Sequence, residues 1–435
     1  MKKCVLIILD GLGDRSYPAF GHQTPLQAAY TPALDRIATA GANGLYHAAH
    51  LGQALPSENA HFAIFGYDQH DFPGRGALEA LGAGVSLSEN DVALLAHFSS
   101  VQVRDGRLFL TRDTPPAAPA EIRELIPVIS HYQWQDIDLS FHPIKGLFGV
   151  IVMKGDVSPF VTDTNPMRDY VPVMELLPWK SQANDSTAIR TAQALKDYLI
   201  HVHTLLNKHP VNQARTGANL PPLNGLVTQR AGRLKKITPF TEQFGLKGLS
   251  ITSGAVFKGL STYLGLNFLQ VADTNDPQKD MAERLSLARA SLSDHDFIHI
   301  HTKAPDEAAH TKKPLFKKQV IEAIDRAITQ EGNSFINNPN ILTVVTADHS
   351  TPSSGPLVHS GEAVPLVMCG EGVRRDAVTR FDEVSAATGA LGTVRDRELM
   401  WLILNHLDCI KLMGIMDMDI DQSFWPGNYR QFTMK

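Results

Sequence analysis

Cys4-Val5-Leu6-Ile7-Ile8-Leu9 runs directly into Asp10-Gly11-Leu12-Gly13. The apolar residues are continuous rather than alternating, which is the pattern of a strand buried on both faces, and the glycines after them read as a turn. A strand of this kind belongs in a parallel sheet, and parallel sheets bind ligands beyond the carboxyl ends of their strands. Asp10 is therefore a candidate ligand-binding carboxylate, although by itself it reads equally well as a turn cap. Gly11 and Gly13 do not complete a dinucleotide fingerprint, because GxGxxG requires glycine where the chain has Ser16.

Working outward, Thr31 to Gly41 carries an N-cap residue, Pro at the first helical position, apolar residues at helical spacing and a terminal Gly, so it predicts one complete helix. The same alternation returns late in the chain. Phe297 to His301, Ile341 to Val345 and Val364 to Met368 read as strands, and Lys317 to Ile328 and Glu398 to Leu407 as helices. Both ends of the chain thus predict one α/β sheet. Between them the pattern changes: Ala93 to Val103 and Leu108 to Leu110 flank Asp105-Gly106 as a hairpin would, Thr187 to Leu206 reads as a helix, and His209 to Asn224, rich in Pro, Asn and Gly, as a loop. No Gly/Ser or charged linker separates these regions. Matching ends around a different middle predict an inserted domain, residues 73–244, in a core made of residues 1–72 and 245–435.

The 435 residues carry a net charge of −5, which excludes the basic field of a nucleic-acid or anionic-membrane binder. Cys4, Cys369 and Cys409 are too few and scattered for a disulfide framework, which fits a reducing, cytoplasmic setting. The first apolar run, stopped at Asp10, is too short for a secretory leader, and no run approaches the roughly 18 apolar residues of a membrane span.

Three further stretches place potential ligands after strands. Thr346-Ala347-Asp348-His349 sets a carboxylate and an imidazole side by side; Lys303-Ala304-Pro305-Asp306 through His310 sets Asp306 and His310 four apart on one helical face; His359 follows ten residues after His349. Each alone also reads as a cap or a surface histidine. Together with Asp10 they form a cysteine-free nitrogen and oxygen donor set that suits two divalent ions such as Zn, Mn, Co or Mg, able to clamp a phosphoryl transfer. Ser57, after Pro56 and before the apolar helix beginning near Ala60, is the candidate nucleophile; the competing reading is an ordinary N-cap.

Ile8 to Asp14, Thr24 to Pro32, Gly66-Tyr67-Asp68, Gly74 to Gly82, Asp163 to Pro166, His209 to Asn212, Leu220 to Pro222, Lys303 to His310, Thr346 to Thr351, Val364 to Leu366 and Gly372 to Asp376 resemble the archaeal-type 2,3-bisphosphoglycerate-independent phosphoglycerate mutases of the alkaline phosphatase superfamily. The resemblance implies an alkaline-phosphatase-like, mostly parallel sheet with helices on both faces, interrupted by an inserted α+β substrate-binding domain. It also implies that Asp306, His310 and His359 hold one metal and that Asp10, Asp348, His349 and the nucleophile Ser57 hold the other. The implied reaction is the glycolytic interconversion of 3- and 2-phosphoglycerate through phospho-Ser57, so the expected partner is a small phosphorylated metabolite rather than nucleic acid or membrane. Arg75, Arg215, Arg230, Arg233, Lys258 and Lys303 match or lie near the family's substrate-binding positions.

This chain departs from the family pattern at Pro56, Glu58 and Asn59 around the serine, at Leu147, Phe148 and Lys154, at Asn165, and at Ala309 and Thr311 beside His310. The metal-ligand positions are untouched. The substrate-side changes keep open an alternative function, a metal-dependent phosphatase, phosphomutase or phosphonate hydrolase acting on another small ester.

Overall fold

The computed structural model describes residues 2–336 and 338–434. It divides into two compact units, Met1–Phe72 with Ile237–Lys435, and Pro73–Lys236.

The first unit is built on an eight-stranded sheet: β1 (Lys3–Leu9), β2 (Ala42–His47), β3 (Gly248–Thr252), β4 (Asn267–Gln270), β5 (Phe297–Thr302), β6 (Ile341–Thr346), β7 (Val364–Cys369) and β8 (Gly392–Arg395), in the order β4-β3-β5-β1-β6-β7-β2-β8. All pairings are parallel except those of β7, which is antiparallel to both neighbours. Every residue of β5 and β6 is buried, the polar His299, His301 and Thr343 included, as central strands covered on both faces require. Ile8 pairs with His301 on one side and Thr346 on the other, so β1, β5 and β6 end at one edge. β7 is reversed because the chain between β6 and β7 contains no crossover helix and re-enters the sheet from the edge it left. His359, which precedes β7, is thereby returned to the edge where Asp10 and Asp348 emerge.

The helix expected after Thr31 spans Pro32–Ala40, but Thr31 makes no side-chain cap. Asp325, from the helix Pro314–Glu331, caps it instead, accepting from the backbone N–H groups of Ala33 and Leu34 at 2.9–3.1 Å. Residues 237–244 belong to this unit rather than to the insert, because Phe240 is buried with its ring 5.1 Å from Phe297.

In the second unit the long strand Val92–Arg104 pairs antiparallel with Arg107–Arg112, Phe148–Lys154 and Gly225–Gly232. Positive φ at both Asp105 and Gly106 makes the tight turn of the expected hairpin. The helix Ser186–Lys208 buries Leu195, Tyr198, Val202 and Leu206 in one apolar core with Leu94 and Phe98 of the sheet. His209 to Asn224 is not all loop: Pro210 opens the helix Pro210–Gly217, and the buried Asn212 amide ties Leu206 to Leu223.

Among the described residues no helix is long and apolar enough to cross a membrane, and all three cysteines are buried free thiols.

Candidate active site

Two clusters of potential metal ligands form at the shared strand edge: Asp306, His310 and His359, and Asp10, Asp348 and His349. In each, one donor atom from every residue lies within 4.8 Å of the others. Pro305 sits in the first turn of the helix Ala304–His310, and the four-residue spacing brings His310 Nε2 to 3.1 Å from Asp306 Oδ2. His359 donates its Nδ1–H to Leu55 O at 2.7 Å, which leaves Nε2 facing Asp306 Oδ1 at 3.7 Å. The rings of His349 and His359 stack at 3.7 Å, so the clusters adjoin.

Ser57 is the first residue of the helix Ser57–Ile64, and its hydroxyl does not cap it. Oγ instead lies 2.9 Å from His349 Nε2 and 3.5 Å from Asp10 Oδ1. A side chain at this position lies at the positive end of the helix, an environment that favours negative charge.

The electrostatics call for a cation. Burial and the neighbouring carboxylates of Asp348 and Asp306 push the Asp10 carboxyl well above its ordinary value, and burial also raises Asp348. Asp306, although largely buried, is held below its ordinary value by the hydrogen bond from His310 and by His349. Burial, with His359 nearby, drops His349 to about 3, so its ring is neutral. Asp348 Oδ1 accepts from the backbone N–H groups of Gly11 and His349, both at 3.0 Å, whereas Oδ2 is buried without a hydrogen-bond partner. A buried, unpartnered carboxylate oxygen beside neutral imidazoles and a second crowded carboxylate is the donor chemistry of a divalent-metal site.

Several supporting residues escaped the sequence reading. His301 lies 2.9 Å from the free oxygen of Asp10 and is steadied by Thr252 at 2.7 Å. His61 donates Nδ1–H to Ser57 O at 2.8 Å. The fully buried Lys317 holds Gly13 O and Thr351 O at 2.9 Å and pairs with Asp14 at 3.2 Å, joining the loops after β1 and β6. The signals were a second histidine two residues from His299 on a buried strand, and a lysine on the apolar face formed with Val320, Ile321 and Ile324.

The candidate cationic side chains divide between the two units. Lys303 sits 5.2 Å over the Phe257 ring, and its charge acts on Asp10; Lys258 is exposed on the helix Ala255–Leu264. In the second unit, Arg75 pairs with Glu79 at 3.2 Å, and Arg230 lines a cavity of about 600 Å³ with Asp163, Glu175 and Trp179. Arg233 donates to Val157 O. Arg215 is buried, donates to both Glu121 oxygens at 2.8–2.9 Å, and also donates to Pro116 O and Pro221 O.

Residues 2–406 match the family described as the metalloenzyme superfamily, whose members use divalent metals. The chain is 37% identical over 426 residues to 2,3-bisphosphoglycerate-independent phosphoglycerate mutase 2 of Methanocaldococcus jannaschii, covering 96% of each chain. It is 33% identical to the corresponding Methanopyrus kandleri mutase, covering 95% of this chain and 98% of that one. Among solved structures, the cofactor-independent phosphoglycerate mutase of Thermoplasma acidophilum aligns with a TM-score of 0.65 at 30% identity, covering 94% of this chain and 100% of that one. A Pyrococcus horikoshii protein aligns at 0.77 with 28% identity, covering 95% and 99%. The chain belongs to the metalloenzyme superfamily and, within it, to the 2,3-bisphosphoglycerate-independent phosphoglycerate mutases.

Proposed function

We propose that this protein interconverts 3- and 2-phosphoglycerate through phosphorylated Ser57, with two divalent cations. The observation that carries the reading is the placement of Ser57 Oγ against His349 and Asp10, where the two ligand clusters adjoin, in a chain of the mutase family. Asp306, His310 and His359 would hold one cation; Asp10, Asp348 and His349, with Ser57, the other. Nitrogen and oxygen donors of this kind accept Mn, Zn, Co or Mg. Bound there, the cations supply positive charge for the serine alkoxide and the three equatorial phosphoryl oxygens.

The chain's own residues do the positioning. Ser57 opens the helix Ser57–Ile64 with Oγ against His349 and Asp10, and the positive end of the helix favours the transferring negative charge. Ser57 takes the phosphoryl group from one hydroxyl of the substrate, the retained glycerate turns, and phosphoserine returns the group to the other hydroxyl. We assign the insert as the substrate-binding domain, with Arg75, Arg230 and Arg233 as its anion-recognising side chains, and Lys303 and Lys258 as substrate-binding cations of the core unit.

The test is incubation with 3-phosphoglycerate and, separately, with an aryl phosphate. Isomer formed without free phosphate supports the mutase, and sustained phosphate release marks a hydrolase. Full turnover by Ser57→Ala would remove the serine from the mechanism.

A further inference from the structure

Thr351 joins the two ligand clusters through one hydroxyl. Its Oγ1 lies 2.7 Å from Asp306 Oδ1, in one cluster, and 3.1 Å from His349 Nδ1, in the other. A carboxylate oxygen only accepts, so the single hydroxyl proton goes to Asp306. Toward His349 the hydroxyl then has only lone pairs to offer, and the neutral ring must carry its proton on Nδ1. That leaves Nε2 bare, and Nε2 is the atom that faces Ser57 Oγ at 2.9 Å, Asp348 Oδ2 at 3.3 Å and Asp10 Oδ1 at 3.4 Å.

The surroundings hold this bridge in place. The Thr351 backbone N–H donates to Gly13 O at 2.9 Å, and its carbonyl accepts from buried Lys317 at 2.9 Å. Gly11 leaves the space: a Cβ there would fall 2.6 Å from Thr351 Oγ1 and 2.7 Å from Asp306 Oδ1. Without the bridge, the other tautomer of His349 would present Nε2–H to Asp10 or Asp348 and block the donor atom.

We infer that Thr351 is a positioning residue that sets the His349 tautomer and couples the two metal clusters, so that losing its hydroxyl weakens both together. This rests on the two-metal reading above. Hydrogen-bond partners of metal ligands typically change affinity 10- to 100-fold.

The full-length protein, loaded with Mn2+, is dialysed against graded chelator, and retained metal is measured for wild type, Thr351→Val and Thr351→Ser. The expected result is loss of both ions from Thr351→Val at 10- to 100-fold lower chelator, with Thr351→Ser close to wild type. If Thr351 mattered only for packing, the order would reverse, because valine keeps the shape and serine removes the methyl group. That reversal, or a Thr351→Val protein that holds both ions like wild type or loses only one early, overturns the inference. Wild type that never holds two ions overturns the two-metal reading itself, an outcome seen before any variant is compared.

Discussion

Ser57 Oγ stands 2.9 Å from Nε2 of His349, a residue 292 positions away in the chain whose ring is buried and uncharged at neutral pH. A short polar side chain at a helix start usually turns back to cap its own backbone; here it faces a donor set instead. Ser57→Ala should therefore lower kcat by at least about 10³-fold, since it removes the covalent acceptor. The helix needs no cap from this hydroxyl, so thermal stability should stay within about 0.5 kcal/mol of wild type. Rapid-quench detection of a labelled phosphoenzyme in wild type, absent from the variant, checks the assignment.

Lys317 and Asp14 are a fully buried ion pair that also satisfies Gly13 O, Thr351 O and the Ser353 hydroxyl. Burial lowers the Lys317 pKa while Asp14 raises it, so the lysine's charge depends on its partner. Lys317→Met leaves the buried Asp14 without a countercharge, and should cost about 3–5 kcal/mol. Removing both charges, in Lys317→Met with Asp14→Leu, should recover part of that loss. Chemical denaturation midpoints of the three proteins decide it; a double variant less stable than the single one would contradict the account.

Burial holds His299 well below its ordinary value of 6.5, with His61 adding to the effect. Below pH 6.5 the unfolded chain binds a proton at this histidine that the folded chain does not. Its stabilising contribution is thus present above 6.5 and lost as the pH falls. His299→Leu cannot take up that proton. Plotted against pH, the stability of His299→Leu relative to wild type should rise by about 1.4 kcal/mol for each unit of acidification below 6.5. Parallel curves would show that His299 titrates alike in both states.

Arg215 ties the helix Pro210–Gly217 to Glu121 of the helix Pro119–Ile129. With Nε, Nη1 and Nη2 each bonded inside the insert, Arg215→Ala should destabilise this unit by about 3 kcal/mol or more. In the protein that remains folded, KM for phosphoglycerate should be unchanged. A raised KM at unchanged thermal stability would return Arg215 to the substrate side.

Local sequence determined the parts of this protein that depend on near neighbours. The unbroken apolar run at Cys4 and the apolar-rich runs at Phe297 and Ile341 are buried strands, because apolar residues on both faces of such a strand must leave water. Asp306 and His310 share a helical face because 3.6 residues make a turn. The Asp348-His349 pair was legible as soon as the strand before it was.

Partners hundreds of residues apart were decided only by tertiary structure. Gly11 meets Asp348 across 337 residues because β1 and β6 end in register at one edge. The reversal of β7 that returns His359 to that edge leaves no mark on its apolar pattern, since a buried strand reads alike in either direction. Sequence left Ser57 readable as cap or nucleophile, and only folding sets its Oγ beside His349 and the Arg215 guanidinium against Glu121. A polar side chain takes its role from whichever unsatisfied group folding sets within 3 Å, and hydrophobic periodicity carries no information about that group.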